Sequence, residues 1–387
     1  MFRNYSKNFW VLAFSMFLFM TSFNLVIPEL NNFITDLGGA DYKGLIISIF
    51  TISAGLSRPF SGKLADTIGR KSVMLIGIGV CFVVSLLYPL SFSVWFFLLL
   101  RFFHGFSAGF NPTGATALVT DILPEDRRGM GMGIWGTFVS LGIGVGQVTG
   151  SYICKEIGIN NLFMIAAGTA VFSGILVMYV QETLENRVKF STKLLAIEAE
   201  DVVERSVLPS AIVMFLTATC SGIIFVITPD MSGYLGSDNK GLFFGYYVVS
   251  TILVRLFSAR LSDKIGRRKT LIIGFTLLLV SMLLIGFSRD LTSYITAAVI
   301  FGFATGVSSP TLFAWTADLS HPERRGVGAG TMFIALEAGI MVGSASTYLT
   351  YHNTLDSVPL PFITGAFMAL VSIVYLIWHL KFRQSNT

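Results

Sequence analysis

The chain has 387 residues, of which 53% are hydrophobic and only 13% charged, and its formal net charge is +5. Soluble globular chains run at roughly 45–50% apolar and about 25% charged residues. A soluble protein of this length could not hide so much apolar surface, so lipid is the expected solvent and the classes built on a soluble core are excluded.

Runs of about 20 apolar residues, long enough to cross ~30 Å of hydrocarbon, occur in chain order near 9–32, 43–62, 72–91, 93–120, 130–153 and 159–180. After a polar stretch they resume near 208–230, 241–260, 270–288, 292–317, 327–350 and 358–380. The first run is too long for a signal-peptide core and reads as a retained membrane helix. Pro28-Glu29 is expected to close the first helix and Pro229-Asp230 the seventh, leaving both acids at the periplasmic rim near solvent. The one long polar stretch, 181–207, is the natural junction between halves, with a short surface helix expected over Leu194–Val203. The reading is two six-helix bundles, 1–184 and 208–387, joined by a central loop over 185–207.

Positive charge sets the orientation. With the N-terminus inside, the cytoplasmic segments hold twenty Lys and Arg and the opposite face four: Lys43, Lys155, Lys240 and Arg289. Both termini are therefore expected in the cytoplasm. The basic loops then face the anionic inner leaflet, which accounts for the net charge without nucleic acid. Cys81, Cys154 and Cys220 have neither metal-ligand spacing nor an even count and read as packing residues.

The chain also repeats itself. Residues 57–71, SRPFSGKLADTIGRK, return 197 positions later as VRLFSARLSDKIGRR at 254–268. The same offset carries Lys43-Gly44-Leu45 onto Lys240-Gly241-Leu242, Asp121 onto Asp318, and Arg127-Arg128-Gly129 onto Arg324-Arg325-Gly326. A duplicated half in so apolar a chain points to a transporter that rocks one half against the other. Small-xxx-small rows recur as Gly105/Gly109, Gly302/Gly306 and Gly142/Gly146/Gly150, and they let helix backbones approach closely in lipid. Gly131-x-Gly133-x-x-Gly136 fits a dinucleotide fingerprint, but no strand precedes it and it opens a membrane helix. No P-loop, HExxH or GxSxG pattern is present, so no machinery for ATP hydrolysis or nucleophilic catalysis is expected.

The repeated segment, Gly62-Lys63-Leu64-Ala65-Asp66-Thr67-Ile68-Gly69-Arg70-Lys71, resembles the loop 2–3 signature of the major facilitator superfamily. Its degenerate second copy, with Ala259 for the first Gly, is similar to what that family shows. The resemblance covers essentially the whole chain and implies an all-α membrane protein: 12 transmembrane helices in two six-helix bundles with pseudo-two-fold symmetry. It also implies that Asp66 faces the positive N-terminus of helix 11. Arg70 would pair with Asp121, with Asp263, Arg267 and Asp318 repeating the arrangement. This cytoplasmic gate (Gly62, Asp66, Gly69, Arg70, Asp121, Asp263, Arg267, Asp318) would hold one state and break on rocking; the bland alternative is a solvated topogenic loop.

Arg101, in RFFHGFSAG, lies about two turns into helix 4, where the second half has Ala298. A charge there costs at least ~2.5–3.5 kcal/mol on insertion scales and needs a cavity or partner. The segment resembles the family's helix 4 signature, whose Arg is linked to proton transfer; snorkelling to the interface is the alternative. His104, one turn deeper, either titrates or packs through hydrogen bonds. Glu337 falls near the middle of helix 11, where a buried carboxyl can carry a proton, attract a cation, or bridge two helices. Arg58 and Arg255 read as interface anchors or gate members. The run Gly142–Ser151 resembles the antiporter-branch signature of helix 5 but has Gln147 for Pro and Ser151 for the last Gly. Gln147 either contacts substrate or bonds helix 8, and Asn24 joins the candidate coupling set with Glu337, Arg101, His104 and Gln147.

The function this implies is proton-coupled efflux of a small amphipathic or cationic molecule from a bacterial inner membrane, by a monomer with membrane lipid around it. No cofactor is expected beyond the proton. Uptake of an organic anion and flipping of a lysolipid-like amphiphile share the fold and stay open.

Overall fold

The computed structural model describes residues 5–123, 128–185, 187–198, 202–258, 261–320 and 325–384. Helices account for nearly all of them: α1 Lys7–Leu25, α2 Leu30–Asp36, α3 Lys43–Thr67, α4 Arg70–Leu87, α5 Val94–Ile122, α6 Arg128–Ile157 and α7 Ile159–Tyr179. The second set is α8 Leu208–Tyr234, α9 Leu242–Ser258, α10 Leu261–Ile265, α11 Arg267–Phe287, α12 Leu291–Leu319, α13 Arg325–Thr350 and α14 Pro359–Gln384. Among the described residues, taking α1 with the short α2, and α9 with the short α10, as one span each matches the expected twelve. Among the described residues, nine segments meet the length and apolarity of a membrane span on their own, and Leu242–Arg255 is a shorter apolar helix. The protein is an integral, multi-pass membrane protein.

Two compact units emerge. The first comprises residues 1–38 and 52–199, the second residues 39–51 and 200–387. The start of α3 therefore packs with the second unit, although its sequence continues into the first. In the first unit, Phe9, Leu12, Met16 and Phe19 of α1 form the core with Met74 of α4, Trp135 of α6 and Val177 of α7. Outward positions such as Phe172, 64% exposed, and Trp378, 53% exposed, are the surface that lipid covers.

The tightest helix contacts fall on glycine. A Cβ on Gly146 would come within 2.7 Å of the Thr21 carbonyl and 2.9 Å of Asn24 Cβ; one on Gly142 would meet Phe17 O, and one on Gly150 would strike Leu25 O. At the repeat offset, Gly339 and Gly343 meet Phe215 O and Thr219 O in the same way. So α1 lies on α6 as α8 lies on α13, backbone against backbone. Gly109 sits against Ala54 O and Ser57 of α3, and Gly302 against Tyr247 O of α9. Without a hydrophobic drive between helices in lipid, this close packing is what associates them.

Three expectations need correction. Pro28-Glu29 follows the end of α1 at Leu25 but does not end the span: a 3-10 turn over Ile27–Glu29 leads into α2. Pro229 lies inside α8, which runs on to Tyr234. Because the chain continues past both prolines, Glu29 and Asp230 are buried, at 7% and 8% exposure, instead of lying at the rim. Finally, among its described residues the polar junction forms 3-10 turns at Thr192–Leu195 and Arg205–Val207, and residues 196–198 are not helical; residues 199–201 of the expected surface helix lie outside the described residues. There Lys63 Nζ donates to Ala196 O, Val188 N donates to Thr67 O at 3.0 Å, and Leu194 packs on Leu64 and Val73. These contacts tie residues 188–196 to the end of α3.

The glycine contacts give a clean comparison. Gly146→Ala should destabilise the detergent-solubilised protein by about 1–3 kcal/mol through overpacking. Gly168→Ala, where a Cβ meets nothing within 4 Å, should leave the thermal midpoint unchanged or slightly raised.

Candidate functional site

In the first unit, a buried polar chain crosses from α5 to α4. Pro89 begins the 3-10 turn Tyr88–Leu90 that closes α4, and Ser93 caps α5 by accepting from Phe96 N at 3.2 Å. This corner swings Tyr88 over α5. Arg101 Nη1 donates to Tyr88 Oη at 3.3 Å, and Tyr88 Oη lies 2.8 Å from His104 Nδ1. His104 Nε2 is 3.3 Å from Cys81 Sγ, and Ser22 Oγ, 3.7 Å from that sulfur, donates to Ala166 O at 2.7 Å. Arginine cannot accept, so the Tyr88 hydroxyl passes its own proton toward Nδ1 and a neutral His104 carries its proton on Nε2, toward Cys81. Arg101 and Tyr88 are 0% exposed and His104 is 1% exposed, so Arg101 does not snorkel. Tyr88 and Cys81 were not candidates from the sequence; the polar Tyr-Pro corner opposite Arg101 was the available sign.

At the loop between α3 and α4, Arg70 Nε meets Asp121 Oδ2 at 3.1 Å, its Nη2 meets Asp66 Oδ1 at 3.3 Å, and its Nη1 donates to Ala65 O at 3.0 Å. Gly69 makes the corner at φ 119°, a region L side chains avoid. Two further residues complete this cluster. Glu182 accepts from the N–H groups of Arg70 at 3.2 Å and Lys71 at 2.9 Å, capping α4, and Thr183 Oγ1 donates to Asp121 Oδ2 at 2.6 Å. A side chain on Gly62 would meet nothing within 4 Å.

The second unit repeats the corner: Gly266 has φ 91°, Arg267 Nε meets Asp318 Oδ2 at 2.9 Å, and Arg267 Nη1 donates to Ser262 Oγ at 2.7 Å. The Asp263 side chain, and Arg3, Arg127, Arg260 and Arg324, lie outside the described residues. With Asp121 and Asp318 largely open to solvent, each pair is worth no more than about 1 kcal/mol as an isolated bridge.

The remaining candidates sit between α1 and α6 or on α13. Asn24 Nδ2 donates back to Met20 O at 2.8 Å, with its Cβ against Gly146. Gln147 is fully buried, and among the described residues neither its Oε1 nor its Nε2 finds a hydrogen-bond partner. One turn on, Ser151 Oγ donates to Glu29 Oε1 at 2.8 Å. In the second unit, Glu337 is buried at 8% exposure midway along the 26-residue α13. The largest departure from expectation lies near the end of the same helix. Asp230 Oδ2 receives both Lys43 Nζ and Tyr351 Oη at 2.7 Å, and Tyr351 Oη is 2.9 Å from Tyr234 Oη. Lys43, expected in a periplasmic loop, is buried.

The sequence profile described as Major Facilitator Superfamily matches residues 12–208 and again 210–386. The chain belongs to the major facilitator superfamily. Among the transporters of that superfamily, the chain is 25% identical to the multi-drug resistance efflux pump PmrA homolog of Lactococcus lactis subsp. lactis (strain IL1403), covering 98% of this chain and 96% of that protein. It is 28% identical to the multi-drug resistance efflux pump PmrA of Streptococcus pneumoniae serotype 4, covering 79% of this chain and 80% of the pump. The crystal structure of the human organic anion transporter MFSD10 (TETRAN) superposes with a TM-score of 0.75 at 21% identity, over 95% of this chain and 98% of that one. That likeness shows the shared fold of this major facilitator protein.

The α4–α5 chain is open to test. Tyr88→Phe removes the hydroxyl that serves both Arg101 and His104 and should cost about 1–3 kcal/mol, the penalty for buried groups left unsatisfied. Thermal unfolding in detergent checks this; Tyr179→Phe, at an exposed position, should be neutral.

Proposed function

We propose that this protein exports small amphipathic or cationic organic molecules in exchange for protons, by alternating access, from a bacterial inner membrane with both termini in the cytoplasm. The observation that carries the reading is Glu337: a carboxyl buried midway along α13, in a chain whose full-length relatives include multidrug efflux pumps. A carboxylate in a low-dielectric site can be neutralised either by a proton or by an organic cation. The two then compete, and that competition is the elementary form of antiport. Proton is the coupling ion, no other cofactor takes part, and the working unit is a monomer.

Arg101 speaks against the anion reading. Its Nη1 donates to Tyr88 Oη and lies 3.5 Å from His104 Nδ1 within the α4–α5 contact, and the residue is 0% exposed, so none of its surface is open to receive a substrate carboxylate.

The test is proton release from unbuffered, detergent-solubilised protein on adding tetraphenylphosphonium or ethidium, with wild type beside Glu337→Gln. Release in the wild type and its loss in the variant are expected. Binding of either cation by both proteins without proton release removes Glu337 as the carrier.

A further inference from the structure

One cavity in the second unit has no part in the exchange just described. It measures about 320 Å³ and opens where α11 begins, α12 ends and α14 nears its end. Arg267, Arg268 and Lys269 line it on one side; Trp315, Leu319 and Leu380 give it an apolar wall. The acid among its described lining residues is Asp318, and Arg267 Nε already meets that carboxylate at 2.9 Å. Arg268 Nη1 donates to His379 O at 3.1 Å, which fixes its guanidinium between α11 and α14. Lys269 is exposed, and among the described residues it makes no hydrogen bond or ion pair. Three basic side chains against one acid leave an excess of two positive charges.

The twin corner in the first unit meets the same charge from within the chain. The 197-residue offset carries Arg70, Lys71 and Ser72 onto Arg267, Arg268 and Lys269. There Glu182 supplies an anion, accepting from Arg70 N at 3.2 Å and Lys71 N at 2.9 Å. Lys71 Nζ donates to Val180 O at 3.1 Å, much as Arg268 reaches His379 O. At this offset His379 stands for Glu182 and Lys269 for Ser72, and the chain holds no Asp or Glu after Asp356. The second copy thus has one acid fewer and one cation more.

Aromatic residues mark the depth of the cavity and hence the source of the anion. Trp315 packs edge-on to the His379 ring at 5.8 Å, and the exposed Trp378 lies 6.1 Å from Tyr375. Trp and Tyr collect at the level of the lipid headgroups, and a basic pocket between membrane helices at that level suits an anionic headgroup. A soluble anion would use the cations alone. A phospholipid uses both sides, with its phosphodiester on the cations and its glycerol and first methylenes on the apolar wall.

We propose that this cavity binds an anionic phospholipid, held by Arg268 and Lys269 through its phosphodiester and packed on Trp315, Leu319 and Leu380. The lipid neutralises in the second unit what Glu182 neutralises in the first. The site stands apart from the exchange reading, because lipid retention reports on neither protons nor transported molecules.

The experiment is native mass spectrometry of the full-length protein, released from detergent with dioleoylphosphatidylglycerol or dioleoylphosphatidylcholine added. One phosphatidylglycerol should be retained at concentrations where phosphatidylcholine is lost. Lys269→Ser, which copies the first unit, should weaken that retention about fivefold, one basic residue's share at an anionic surface. His379→Glu, which puts a carboxylate beside the cavity, should weaken it further. Lys193→Ser, which removes an exposed cation of the first unit, should leave it unchanged. Equal retention of the two lipids, or an equal loss with Lys193→Ser, overturns the proposal. Displacement of the lipid by inorganic phosphate at the same concentration also overturns it, since the cavity would then serve soluble anions. If His379→Glu does not fold, the exposed Lys269→Ser position decides alone.

Discussion

The constraint behind this structure is that a charge placed among lipid-solvated helices must find its partner inside the protein. Born-type desolvation of an ion is worth several kcal/mol even after relaxation, and lipid supplies nothing to offset it. The chain meets the constraint by different means at different places. Arg101 is held against a phenol that is itself tied to a neutral imidazole. Asp230 is neutralised outright by Lys43 and steadied by Tyr351. Glu29 takes a hydroxyl from Ser151. The Arg70–Asp121 and Arg267–Asp318 pairs, at helix ends with partly open carboxylates, escape it. They are correspondingly weak, easily exchanged contacts, which is what a structure that changes shape needs at its aqueous edge.

Duplication explains why the scaffold can carry these sites at little extra expense in stability. Gly142 and Gly146 let α6 lie on α1 as Gly339 and Gly343 let α13 lie on α8. Each half is thus founded on the same backbone-to-backbone contact, which depends on the absence of side chains. Chemistry can then differ between the halves without disturbing that contact. Arg101 has Ala298 as its counterpart, and Gly62 has Ala259. Even the buried acids show the kinship: Glu29 and Asp230 each follow a proline in the first span of their half, Pro28 in a 3-10 turn and Pro229 within α8, and each accepts a hydroxyl from the region of the fifth. One hydroxyl is serine and the other tyrosine, and the second site also holds a lysine.

Much of the fold was legible because it rests on local properties. Hydropathy located the spans, since lipid demands about twenty apolar residues wherever the chain crosses. The resemblance to the family's loop signature paired Arg70 with Asp121 and Arg267 with Asp318, and both pairs are present. What escaped depended on tertiary placement. Proline reads as a helix end, yet in lipid the neighbouring helices re-satisfy the freed backbone groups, so α8 passes through Pro229. Lys43 stands before an apolar run and reads as a loop lysine; nothing local reveals that Asp230, 187 positions away, will receive it. Tyr88 went unread in the sequence, because only the corner after α4 turns it onto Arg101.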